Sequence, residues 1–458
     1  HGPGVARPGV QLSDPGAVTG IAVAAQAPTS RWAGRVSGTA RPAAFGWILL
    51  YLLVLDLSYQ YVFSTAYYYA LNRPQFDLAK LVESVAMLAL VVAALPMRRD
   101  RLSTYLVWLL VLVADVPQLA IYAMRSEDRL FMWATTAFWV LLALLVRKLP
   151  QPHFGRPTSV SADSYRVATG LYVIVLAIAT LVLITYTSVY QVVQQVIGTG
   201  IDLSGAYVNR QAFVAAHLPL NGYYFHWLAL VFNPAFFAIA ILRRRWWAVA
   251  LIMGVQLMVA GLVGMRSYFF ALFFAGFVGW AAGREKPIRA LSLALAAISV
   301  AGAGYYYATG DSIVYLFFTG RFLLDAAQLN FVYYWFFSQH GPIPLAYTIQ
   351  FYLHLPYPGT YPYAQDPAIT VAIAYFHQNL AAVAGLVADA YMNFGLGGLA
   401  LWALLVAGVA RVLDACAEGV DPRIGAAMLA MVALAMADTY LVRVFFTTAL
   451  VWAALLLY

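Results

Sequence analysis

Apolar residues run along this chain in long, nearly unbroken stretches separated by short polar turns. A helix that crosses a bilayer needs about 20 mostly apolar residues. Twelve stretches meet that demand, near 44–64, 78–96, 103–123, 130–147, 167–189, 223–242, 247–264, 267–283, 288–308, 392–413, 424–441 and 443–458. The pattern predicts an all-α, polytopic integral membrane protein of about 12 transmembrane helices, with 44–458 as one transmembrane helical domain. Residues 1–43 are rich in Gly, Ala and Pro and lack the order of a signal peptide; they are expected to form a mobile cytoplasmic tail.

Two connections are long, 190–222 and 309–391. Within the second, 311–338 is too interrupted for a clean span and suits two short interfacial helices broken at Gly320. A Pro- and Tyr-rich stretch follows and reads as an ordered loop with aromatic walls. Long connections of this kind tend to carry function.

Composition removes the soluble alternatives. Hydrophobic types make up 63% of the 458 residues, charged types 10%, and the mean hydropathy is +0.76. Soluble domains carry about 45–50% apolar and about 25% charged residues. The net charge of +8 is explained by loop bias, so no nucleic-acid partner is expected. Of the 27 Lys and Arg, the tail and alternate connections hold all but Arg73, Lys80, Arg125, Arg129, Arg210, Arg266, Arg321 and Arg443. The positive-inside rule then puts both termini in the cytoplasm and both long connections on the outer face.

Charge at membrane depth is costly and marks candidate sites. Arg266 lies in GLVGMRSYFF, between two apolar stretches; it either snorkels to headgroups or points into an outer cavity. Arg210 follows Tyr207 in the 190–222 connection. Arg321 shares a helix face with Asp325 and Gln328 and could simply pair with Asp325. Arg443 opens the last stretch and could be an interfacial anchor or a partner of Asp438. Converging guanidinium groups would bind phosphate oxygens in bidentate fashion at any relevant pH. The candidate acids and bases are His340 first, then His377 and Asp389; Asn393 lies one helical turn beyond Asp389. There is no HExxH, no second Cys and no GxxxxGK[ST], so metal-independent chemistry without a cofactor is expected.

Four pieces, YVNR at 207–210, GLVGMRSYFF at 261–270, GRFLLDAAQLNFVYYWFFSQHG at 320–341 and ADAYMNFGLGGLAL at 388–401, resemble the Wzy-type oligosaccharide repeat-unit polymerases of O-antigen and exopolysaccharide synthesis. They occur in the expected order over about the second half of the chain. The resemblance implies a multi-pass glycosyltransferase of the bacterial inner membrane, with its active site facing the periplasm. Such an enzyme moves a growing glycan en bloc from undecaprenyl pyrophosphate onto the next lipid-linked unit. Its partners would be lipid-linked oligosaccharides, membrane lipids, a chain-length regulator and a flippase.

By this resemblance Arg210, Arg266 and Arg321 hold the pyrophosphate, and Arg443 is a fourth candidate from position alone. Tyr207, Tyr333, Tyr334, Trp335, Asn379 and Asn393 are the expected substrate contacts. The alternatives are a ligase-like transferase with another acceptor, and a transporter; Asp56 and Asp115, inside predicted spans, are the residues that favour transport.

Overall fold

The computed structural model describes residues 40–66, 75–125, 127–154, 162–186, 213, 218, 222–357, 361–447 and 450–458, and within them all regular structure is helical. In chain order these helices are α1 (Ala40–Ser58, prolonged by a π-helical turn, Tyr59–Phe63), α2 (Leu78–Ala94), α3 (Leu102–Arg125), α4 (Arg129–Lys148) and α5 (Ala162–Tyr186). Then come α6 (Tyr223–Leu242), α7 (Trp246–Val263), α8 (Arg266–Ala282), α9 (Pro287–Thr309) and α10 (313–340). The last are α11 (Pro367–Phe376), α12 (Leu386–Cys416), α13 (Pro422–Asp438), α14 (Leu441–Phe446) and α15 (Leu450–Leu457). Among the described residues, seven helices are long and apolar enough to cross a membrane: Arg41–Phe63, α3, α4, α6, α7, α9 and α12.

Short polar signals set the helix ends. Asp77, Asp128, Asp366 and Asp421 accept first-turn amide hydrogens at the starts of α2, α4, α11 and α13. Such caps satisfy donors that a helix start leaves open. Proline follows the cap in α11 and α13, where its missing N–H costs nothing. Gly264 ends α7 in the left-handed conformation (φ 64°), and α8 starts two residues later.

α3 is the centre of the bundle. Its apolar stretch is buried throughout, and it packs against α1, α2, α4, α10, α12 and α13. The outer helices are different: α5 and α7 expose Leu181, Trp246 and Trp247 at 66%, 65% and 68%. An apolar surface of that kind suits lipid and would drive aggregation in water. Inside, polar side chains join helices where apolar contact alone gives no register. Asn233 of α6 donates to Gln256 of α7 at 2.7 Å, Gln256 donates to the Tyr268 carbonyl of α8 at 2.7 Å, and Tyr172 of α5 donates to Asn233 at 3.0 Å.

The segment after α9 departs from expectation. Residues 313–340 form one helical run with no break at Gly320. Its Leu316–Asp325 portion is π-helical, and Gly320 is buried there, where an added Cβ would meet Leu316 at 3.1 Å and Phe63 at 3.5 Å. The glycine serves close packing against α1 and does not end the helix. Much of the expected long loop 309–391 is therefore helix, in α10 and α11 and in a short π-helix, Tyr347–Tyr352.

Candidate functional site: Arg443 and the aromatic end

The C-terminal part of α10, the start of α12, α11, α14 and the Tyr347–Tyr352 π-helix meet at one end of the bundle. The backbone of α12 explains how. After Asn393 the helix is interrupted at Phe394 (φ −141°, ψ 23°) and Gly395 (φ 59°, ψ −146°) before it resumes. Only glycine takes the second of these conformations without strain. The interruption leaves the first two turns of α12 free to bond sideways.

Asp389 and Asn393 use that freedom. Asp389 Oδ2 accepts from the Leu441 amide at 2.9 Å and from Trp402 Nε1 at 3.0 Å, and Oδ1 accepts from Asn393 Nδ2 at 3.0 Å. Asn393 Oδ1 accepts from the Leu345 amide at 2.5 Å. Leu441 stands two residues before Arg443, and Leu345 two residues before Tyr347. One turn of α12 thus holds both arms of a cationic and aromatic pair. The Arg443 guanidinium lies 5.4 Å from the centre of the Tyr347 ring.

The pair has an aromatic and acidic surround. Tyr440 packs on Tyr347 at 4.3 Å between ring centres and shares a 2.5 Å hydroxyl contact with Tyr333, which donates to the Ala382 carbonyl at 2.9 Å. Burial pushes the Tyr347 hydroxyl up to about 12, against the pull of Arg443. Asp366, the cap of α11, feels the Arg443 charge, yet burial holds its carboxyl above the ordinary carboxylate range. A permanent cation on an aromatic wall, with a carboxyl nearby whose charge burial opposes, can receive an anion.

No family model, curated protein or solved structure matches this chain.

Of the residues singled out from sequence, Tyr333, Tyr334, Trp335, His340, His377, Asn379, Asp389 and Asn393 lie on or directly after the elements that meet at this end. Tyr333, Tyr334 and Trp335 point three ways, as successive helical positions must. Tyr333 faces Tyr440, Tyr334 stacks on Phe131 of α4 at 4.4 Å, and Trp335 meets Tyr375 of α11 at 5.2 Å. His340 is exposed at the end of α10, its ring stacked on Phe336 at 4.3 Å and its Nδ1 2.9 Å from the Phe336 carbonyl. His377 ends α11 in the left-handed conformation (φ 55°) and is exposed, as is Asn379. Arg321 pairs with Asp325 one turn along the π-helical part of α10. Arg266 opens α8, with its side chain outside the described residues; Tyr207 and Arg210 lie outside them altogether.

Tyr347, Tyr440 and Asp366 were not among the residues picked from sequence. Tyr440 lies in the same DTYLVR stretch as Arg443, which was the one available signal. Tyr347 and Asp366 sit in a Pro- and Tyr-rich segment where no periodicity separates a site residue from a membrane-interface aromatic. Among the described residues no three His, Cys, Asp or Glu side chains come together.

Proposed function

We propose that the chain is a membrane glycosyltransferase that polymerises oligosaccharide repeat units carried on undecaprenyl pyrophosphate, at the outer face of the bacterial inner membrane. The observation that carries the proposal is Arg443 seated on Tyr347 at an end of the bundle lined by tyrosines. The resemblance of four segments to the Wzy-type polymerases supports it, as does the apolar exterior. In this proposal the aromatic end faces the periplasm, and Arg210 and Arg266 add to the cationic field, while the charge of Arg321 is met by Asp325.

Breaking the bond between the donor sugar and pyrophosphate leaves its electron pair, and so negative charge, on the departing undecaprenyl pyrophosphate. A fixed guanidinium aimed there stabilises the transition state more than the ground state. The acceptor hydroxyl forms the new glycosidic bond and gives up its proton. His340 suits the role of base. Facing a carbonyl, its Nδ1 carries hydrogen in the neutral ring, which leaves Nε2 free to accept. Asp389 already accepts three hydrogen bonds, so we assign it to holding α14 in place. Chemistry without a metal remains part of the proposal.

The test is polymer length on the lipid carrier. Arg443→Ala should cut polymerisation by about 10²–10³-fold while the protein still inserts, and Arg443→Lys should rescue poorly because a point charge lacks the fork. A normal ladder of products from Arg443→Ala would remove the proposal. One observation favours a second reading, transport: Asp56 and Asp115 are buried, and none of their carboxyl oxygens has a hydrogen-bond partner among the described residues. Glycolipid flux in liposomes, lost in Asp115→Asn and unchanged in Arg443→Ala, would favour it.

A further inference from the structure

Aromatic rings form a connected path at the Arg443 end of the bundle. It starts at Tyr347, the ring that seats Arg443. Phe351, four residues on in the same π-helix, stacks on Tyr347 at 6.5 Å between ring centres. Tyr361 meets Phe351 at 5.2 Å, and Tyr363 meets Tyr361 at 5.6 Å. Tyr363 in turn meets Phe336 of α10 at 5.5 Å and the His340 ring at 6.4 Å. Trp335, beside Phe336 at 6.4 Å, continues to Tyr375 of α11 at 5.2 Å.

The path is open to its surroundings along its length. Trp335 is 39% exposed and His340 is exposed, while Phe351, Tyr361, Tyr363 and Tyr375 are half-buried. Phe336 is buried and lies beneath the His340 ring. Hydrogen bonds at the rims hold rings in place. The Tyr361 hydroxyl donates to the Gln365 carbonyl at 2.9 Å, and the Tyr375 hydroxyl accepts from Arg125 at 3.0 Å. Tyr and Trp offer large, rigid contact area at little cost in side-chain entropy, and rings already fixed lose less still on binding.

Charge and polarity select the class of ligand. From 326 to 388 the sequence holds one Asp, Glu, Lys or Arg, namely Asp366, and that carboxylate caps α11. Aromatic anchors at a bilayer interface work together with Lys and Arg that reach the headgroups; this stretch carries neither. Its exposed polar groups are neutral amides, Gln339, Gln365, Gln378 and Asn379. A lipid tail has nothing to bond with amides. A sugar ring has both halves of the match: an apolar C–H face that sits on the negative face of an aromatic ring, and rim hydroxyls that pair with amides.

We propose that this path is a track that binds a linear oligosaccharide along successive aromatic rings. Resting on the polymerase proposal, the occupant is the growing glycan, with its diphosphate end at Arg443 and its sugars extending from Tyr347 toward Trp335 and Tyr375. Each ring contributes little, but linked contacts raise the effective concentration of the rest of the chain. Sugars far from the reacting bond therefore keep the glycan on the protein while one carrier leaves and the next arrives. The track makes the enzyme retain its product between additions.

The test is titration calorimetry on the full chain in lipid nanodiscs, which avoids sugar-headed detergents. The probes are oligosaccharides of graded length, freed by mild acid from the lipid carrier of cells that make this chain, and so without lipid or diphosphate. Affinity in the wild type should rise with each added repeat and level off once the track is filled. Trp335→Leu and Tyr363→Leu should each weaken the long probes by roughly three- to tenfold and shift the polymer ladder to shorter products. Leucine keeps apolar bulk and removes the flat face, so Trp335→Phe should recover most of the loss. Arg443→Leu should bind the probes as the wild type does. Trp335 and Tyr363 lie on separate segments, so each variant tests the track if the other does not fold.

Affinity independent of probe length, or unchanged in either folded leucine variant, would overturn the track. A wild type that binds no probe of any length would make the rings membrane-interface anchors and overturn it equally. The two proposals fail separately. Length-dependent binding that needs Trp335, in a protein that makes no polymer, keeps the track and loses the polymerase; a normal ladder of products without length-dependent binding does the reverse.

Discussion

At the end of the bundle where α3 begins, Arg411 and Asp414 of α12 pair directly. Asp414 also accepts from the Ser103 amide at 2.8 Å and hydroxyl at 2.7 Å, and Arg411 donates to the Leu149 carbonyl at 3.0 Å. Arg423 and Asp421 pair beside them, as do Arg98 and Asp100. At the other end Arg443 rests on a tyrosine ring, and Arg125 keeps a buried donor without a hydrogen-bond partner among the described residues. Both ends carry ion pairs, Arg125 with Glu127 and Arg129 with Glu83 at the second, and both seat a cation on a ring, Arg284 on Trp280 at the first and Arg443 on Tyr347 at the second. The first end differs in its buried Arg411–Asp414 pair, which three further hydrogen bonds tie to neighbouring segments. A buried ion pair with further hydrogen bonds holds helices in register. The same helix, α12, serves both: its last turns supply Arg411 and Asp414, and its interrupted first turns supply Asp389 and Asn393.

The contrast can be broken at either end. The largest effect on function should come from Arg443, as the polymer-length assay above reads. The largest effect on stability should come from Asp414→Ala, which leaves Arg411 buried without its partner at a cost of about 3–5 kcal/mol. Tryptophan-fluorescence melting in detergent should show the loss, and the folded fraction should keep the activity of the wild type. A sharper test of the second end is Asp389→Ala, which frees the start of α14 and lets Arg443 shift. A displacement near 1 Å costs about 10²-fold in turnover, so kcat should fall while thermal stability falls less than in Asp414→Ala. Asp389→Asn, which retains an acceptor for the Leu441 amide, should recover part of that loss.

The smallest effect should be in pH dependence. Burial raises the Asp366 carboxyl, so its neutral form persists above the ordinary carboxylate range. A raised folded-state value means that the stability it contributes is full at low pH and is lost as pH rises through that value. Binding follows the same sign. Once ionised, Asp366 competes for Arg443, with Tyr347 and Tyr440 as the other titratable neighbours, whose hydroxyls stay neutral throughout this range. Above the pH at which Asp366 ionises, the wild type should therefore bind pyrophosphate less tightly than Asp366→Asn, and below it the two should bind alike.

Much of the fold was legible because hydropathy and helix punctuation act locally. The apolar runs at 103–123, 130–147 and 247–264 correspond to α3, α4 and α7 within a few residues. Gly320 misled because glycine in a one-dimensional pattern signals a break, while in α10 it permits close approach to Phe63. Arg443 could be flagged because a charge in an apolar run is conspicuous. Its partners could not, since Tyr347 reaches it through the Asn393 bond to Leu345, which depends on an interruption hidden in the FGLGG stretch. Arg125 escaped notice for a related reason. At the end of a span it reads as an interfacial anchor, and its burial arises only when α1, α3 and α11 come together.

The central claim is that the aromatic end grips a diphosphate through Arg443. The most direct measurement is a cryo-electron-microscopy map of the protein in a lipid nanodisc with undecaprenyl pyrophosphate. The expected result is diphosphate density within hydrogen-bonding distance of the Arg443 guanidinium, bordered by Tyr347 and Tyr440. Clear density for the diphosphate elsewhere, with Arg443 still seated on Tyr347 and bare of phosphate, would contradict it.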